Sequence, residues 1–162
     1  MSNYFHAKED LALVGHEEIE QGLIRAIVQR GPGQSILTAT RDNTVDAARQ
    51  MASMPAKRRE AFSRLVRSTP AIHNRMRTRA LRYEDELTGL IATQTKAGAN
   101  DPVPRVVAGI LGSLCRLAFG SIGWPSERVR SRAQVEEGIE RAFDQIGAGL
   151  AEYGKNLDGP RS

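Results

Sequence analysis

A single cysteine, Cys115, is the only thiol in this 162-residue chain. One thiol cannot close an internal disulfide, and no histidine stands near it at ligand spacing. Its isolation argues against a disulfide scaffold and suits a reducing, cytoplasmic setting. Long apolar runs are missing too. Nothing approaches the roughly 18 residues of a membrane span, and Lys8, Glu9 and Asp10 arrive too early for a secretory leader. Valine, isoleucine and threonine never gather in alternating runs, so no strand is expected. Internal repeats and low-complexity segments are absent. No Ser-His-Asp pattern, glycine-rich phosphate loop or pair of catalytic carboxylates stands in a suitable context. The residues therefore point to no enzyme and imply no cofactor.

What is present fits one soluble helical domain. The hydrophobic fraction of 40% and the charged fraction of 26% are ordinary. A net charge of +4 permits contact with nucleic acid but also fits a solvated arginine-rich helix face. Apolar spacing predicts an all-α bundle of about six helices. The first runs from Lys8 to about Arg30, with Leu11, Val14, Ile19, Leu23 and Ile27 inward, and Gly31-Pro32-Gly33 ends it. A second covers Ser35 to Met51 on a weak apolar signal (Ile36, Leu37, Val45, Ala48). Met54-Pro55 separates it from a third, Ala56 to Arg67, with Phe62, Leu65 and Val66 inward. Thr69 caps the fourth, Pro70 sits at its first position, and it ends near Gly98. Asp101 caps the fifth, which reaches about Trp124. Ser131 caps the sixth, with Val135, Ile139, Ala142, Phe143, Ile146, Leu150 and Tyr153 on one face. Residues 155–162 read as a flexible tail.

The fifth helix has two faces with different chemistry. Val103, Val107, Ile110, Leu111, Leu114, Ala118 and Ile122 fall on one side at 100° per residue. Gly109, Gly112, Gly120 and Gly123 fall on the other, with Arg116 among them. Each interior glycine costs about 1 kcal/mol relative to alanine. Glycines let another backbone approach closely, so this face is expected to be a contact surface. The partner is expected to be a second copy of the chain. The interface is placed on the last two long helices, on Gly109, Gly112, Arg116, Gly120, Gly123, Val135, Ile139, Phe143 and Ile146.

Near the N-terminus stands Tyr4-Phe5-His6-Ala7-Lys8-Glu9-Asp10-Leu11. This run resembles the junction of TetR-family transcriptional repressors, in which an aromatic pair closes the recognition helix and Lys, an acidic residue and Leu open the connecting helix. Leu114-Cys115-Arg116-Leu117-Ala118 before Trp124, and Ala142-Phe143 in the last helix, are similar to the family as well. The resemblance implies a remnant of the DNA-recognition helix and corner over residues 1–7, with Tyr4 and Lys8 as DNA-contacting remnants. It implies a ligand-binding and dimerisation domain over 8–154, a homodimer, a small and apolar effector, and no membrane partner. Ala7 departs from the family's usual Ser, a better N-cap. The family's first two helices and most of the third are not in this sequence, so DNA would be read only with that headpiece present. A start assigned late, a clipped chain and a headless member all fit. The alternative function is a headless helical interaction protein that pairs with a full-length relative and antagonises it.

Phe62, Met76, Tyr83, Cys115, Phe119 and Trp124 are bulky or apolar and spread over three central helices. The resemblance makes them candidates to line an effector cavity, with Tyr83 as a polar handle. Arg75, Arg79 and Arg82 flank one side of the fourth helix, after Lys57, Arg58, Arg59, Arg64 and Arg67. A solvated face, with Arg82 and Glu86 as an i,i+4 pair, is the preferred reading over an anion site. His16 and Glu20 have helical spacing but no third ligand, so no metal site is assigned.

Overall fold

Six α-helices and no strand make up the described residues of the computed structural model, which are 17–118, 132–150 and 153, less the side chains of 62, 66, 67, 132 and 135. The all-α bundle expected from the apolar spacing is what forms. The helices are α1 (residues 17–28), α2 (Ile36–Ser53), α3 (Ala56–Ser68), α4 (Pro70–Thr95), α5 (Val103–Ala118) and α6 (Arg132–Leu150).

Residue chemistry at each junction explains the breaks. After α1, Gly33 takes φ +74, and Gln34 N donates to Gly31 O at 3.0 Å, closing a turn that a side chain on Gly33 would strain. Ser35 caps α2 by accepting from Thr38 N at 3.1 Å. Pro55 opens α3: its carbonyl accepts from Arg58 N and Arg59 N. Thr69 holds the N-cap position of α4 in extended backbone, but its hydroxyl makes no cap bond. Its carbonyl takes that role, accepting from Ile72 N and His73 N. α4 stops at Thr95, short of the expected Gly98, because Lys96 enters the left-handed region at φ 53. Ala97 N then donates to Ala92 O at 3.0 Å. Asp101 caps α5 as expected, its Oδ1 accepting from Val103 N at 2.9 Å.

One apolar cluster joins α1, α2, α4, α5 and α6. Leu23, Ile27, Ile36, Leu87, Ile91, Leu111, Ile139 and Phe143 are all but fully buried in it. Burying each such side chain stabilises the fold by about 1.5–3 kcal/mol. α2 lies against both α5 and α6, although its apolar pattern is sparse. Thr40 and Thr44 account for this. Each is buried, and each hydroxyl donates back to the carbonyl four residues earlier, at 2.9 and 2.8 Å. With the hydroxyl satisfied inside the helix, the rest of threonine packs as a small branched apolar residue.

α1 and α4 run side by side in the same direction. Glu20 meets Arg79 and Tyr83 near one end, and Arg30 meets Gln94 at the other. α4 also packs on α5, and α3 packs on α4. Tyr153, just past α6, closes the start of α2, where Ile36 N donates to Tyr153 O at 3.4 Å.

Candidate functional site

Two places in the bundle gather the residues that the sequence singles out. The first is the seam where α1, α4 and α5 meet. Tyr83 on α4 and Cys115 on α5 are both buried, and the thiol lies beside the phenol. The Tyr83 hydroxyl donates to the backbone carbonyl of Glu20 on α1 at 3.1 Å. One turn earlier, Arg79 donates from Nε and Nη2 to the Glu20 carboxylate, at 3.0 and 2.7 Å. Glu20 is thus held at both backbone and side chain by two residues four apart on α4. The pairing raises the Arg79 pKa still further above its ordinary value, mainly through the hydrogen bond to Glu20. Burial pushes the Cys115 thiol up to about 12, and pushes Tyr83 well above its ordinary range. Both stay neutral near pH 7, and Cys115 packs as a small apolar residue within the core.

Of the cavity candidates, the structure brings Tyr83 and Cys115 together. Met76 is half-buried two turns earlier on α4. The Phe62 side chain, Phe119 and Trp124 lie outside the described residues, as do Tyr4, Lys8 and the tail. Among the described residues, no group of three His, Cys, Asp or Glu is placed to hold a metal ion. No helix there is long and apolar enough to cross a membrane.

The second place is the outer face of α5. An open groove of about 520 Å³ is lined by Val106, Gly109, Ile110, Ser113 and Leu114, with Glu84 and Arg116 on one side and Ile146 of α6 on the other. Gly109 faces this groove, since a Cβ there would meet nothing within 4 Å. Gly112 behaves differently. A Cβ on it would stand 3.0 Å from Glu84 Oε1 and 3.1 Å from Glu84 Cγ, so this glycine makes room for α4 of the same chain. Arg116 completes that contact, donating to Glu84 Oε1 at 2.6 Å and to Ser113 Oγ at 2.8 Å. Gly120, Gly123 and the Val135 side chain lie outside the described residues. Ile139 and Phe143 are packed inside the chain's own core, each 1% exposed. Of the expected interface set, Gly109 and Ile146 line the open groove, while Gly112 and Arg116 chiefly hold α4 against α5.

Composition alone hid the strongest feature of this face. Val103, Val106 and Leu117 are 40%, 59% and 42% exposed, and Ile110 is half-buried between them. With Ser113 they form the series 103, 106, 110, 113 and 117. Steps of three and four residues in alternation are the spacing of a helix–helix seam. The signal is legible in the sequence, but Val103, expected on the core side, is exposed, while Ile110 packs against the core as expected and also reaches the groove. No family model, curated protein or solved structure matches this chain.

Proposed function

We propose that this chain is the effector-sensing and dimerisation domain of a TetR-like transcriptional regulator. The observation that carries the reading is the exposed seam of α5, flanked by a glycine-floored groove and by α6. A surface helix normally turns its apolar residues inward. Here α5 has a buried apolar side and a second, exposed one at seam spacing. Pairing across a twofold axis would lay α5 and α6 against their copies as a four-helix arrangement.

Sensing falls to the junction of α1, α4 and α5. An apolar effector wedged beside Tyr83 and Cys115 would shift α4, and α4 would carry α1 with it through Glu20. In the intact regulator α1 connects to the DNA-reading headpiece, so its tilt sets the spacing of two headpieces. Operator half-sites lie about one helical turn apart, so a small change in spacing weakens binding. Operator recognition itself belongs to a helix-turn-helix outside the helices described above.

Light scattering across a dilution series tests the reading. A dimer of the 17.8 kDa chain that is abolished by Leu117→Glu supports it. A monomer at every micromolar concentration removes it.

A further inference from the structure

Charge is distributed unevenly along this chain. Residues 57–82 hold nine of its 23 lysines and arginines and one of its 19 acidic residues. That stretch, α3 and the first half of α4, carries +8, and everything else together carries −4, against a total of +4. The structure shows which of these cations are already engaged. Arg79 is held by Glu20, and Arg59 donates to Ala52 O at 2.9 Å. Lys57, Arg58 and Arg64 on α3, and Arg75, Arg77 and Arg82 on α4, are exposed. Among the described residues none of these six has a carboxylate within ion-pair distance. The i,i+4 pair of Arg82 with Glu86, which would have neutralised part of the face, is not formed. Glu60, exposed on α3, is the single acid in the stretch, so cations outnumber acids there by nine to one, far from the mixed signs of a face that merely needs solubility.

The placement of these residues is also informative. Lys57 and Arg64 are seven residues apart, as are Arg75 and Arg82, so each pair lies on one stripe of its helix, about 10 Å apart along the axis. α1 runs parallel to α4, and Glu17 comes level with Arg79 at 4.0 Å. The stretch of α4 from Pro70 to about Met76 therefore extends past Glu17, at the end of the bundle where the described chain begins. Tyr83, next to Arg82 on α4, is buried and offers no platform for stacking bases. Among the described side chains no exposed aromatic stands beside these cations, and an unneutralised cationic surface of that kind suits a stacked duplex backbone better than a single strand.

We propose that the exposed cationic stripes of α3 and α4, Lys57 with Arg64 and Arg75 with Arg82, bind the phosphate backbone of double-stranded DNA, without regard to sequence. The choice of duplex DNA as the polyanion rests in part on the regulator reading above. In that setting the sensing domain adds phosphate contacts of its own beside the operator-reading headpiece, raising affinity and fixing orientation while the headpiece supplies specificity.

Fluorescence anisotropy of the full chain with a labelled 30-base-pair duplex of arbitrary sequence tests the proposal. Engagement of about four or five phosphates predicts a slope of log K against log salt near −4, so binding weakens by about 100- to 1,000-fold between 50 and 200 mM salt. A scrambled duplex binds equally. The double variant Arg75→Gln, Arg82→Gln reduces the slope by about 2, while Arg25→Gln, Arg141→Gln leaves it nearly unchanged. Circular dichroism establishes that both variants remain helical, as expected for exposed positions. Absence of binding at 50 mM salt overturns the proposal. So does a slope that the α4 variant does not move, or binding to phosphatidylserine vesicles without binding to the duplex. The two readings separate cleanly. A monomeric chain that binds DNA with this slope keeps the surface and removes the dimeric regulator; a dimer that ignores DNA does the reverse.

Discussion

At the scale of single residues, several side chains sit where ordinary chemistry would not put them. Lys96 takes a left-handed backbone at φ 53 to end α4. Glycine adopts that conformation without the Cβ penalty. Lys96→Gly is expected to stabilise the chain by about 0.5–1 kcal/mol, read as a higher midpoint in urea unfolding. Cys115 and Tyr83 give the fold a weakness in alkali. Burial moves the Cys115 thiol from its ordinary 9.0 up to about 12, and moves Tyr83 in the same direction. Both are neutral when folded, so their contribution is fully present below pH 9. It is lost as pH rises from 9 towards 12, where the unfolded chain ionises and the folded one does not. Cys115→Ala should flatten the fall of Tm with pH across that window, measured against its own value at pH 7. If Tm falls as steeply with and without the thiol, the buried neutral pair is not the cause.

Individual elements depend on contacts that reach across the chain. A stripe of apolar residues, the grip on Glu20 and, just past its end, the hydrogen bond from Arg30 to Gln94 lay α1 along α4. Arg79→Met keeps the apolar stem and removes two hydrogen bonds to the carboxylate. It should destabilise by about 1 kcal/mol, because the pair is partly exposed and screened. Amide exchange in α1 should rise more than in α2, which would show that the grip is local. The same scale explains what could be read from the sequence. Helix number, order and most breaks were legible, because Pro55, Pro70, Asp101 and the Gly31–Gly33 turn act through backbone geometry that depends on residue type. The packing role of α2 was obscured, because Thr40 and Thr44 look polar until their hydroxyls are seen to be satisfied within the helix. Half of the glycine face was legible. Gly109 and Gly112 share a side of α5, but only the neighbouring helix decides that Gly112 meets Glu84 while Gly109 meets open space. The union of Tyr83 and Cys115, 32 positions apart, followed from the α4–α5 packing and not from any local pattern.

For the whole molecule, Gly109 separates folding from association. Alanine there replaces a helix-interior glycine with open space around its methyl, which stabilises the single chain by up to about 1 kcal/mol. The same methyl projects into the groove between α5 and α6. If that groove receives a second copy, Gly109→Ala raises Tm in dilute monomer and weakens the dimer, read as a larger dissociation constant by sedimentation. Equal dimer affinity with alanine at this position would place the twofold contact elsewhere.

The hydrogen bond from Ile36 N to Tyr153 O has a bearing on how the chain is made. α2 is synthesised in the first third of the sequence, yet its first turn is closed by the last described residue, and its inner face is covered by α6. Contacts of such long sequence separation cannot form until both ends exist. A ribosome-bound chain therefore carries α2 with the side that α6 covers left open until α6 has emerged. That interval is when the nascent protein is most exposed to proteases and to sticking to its neighbours.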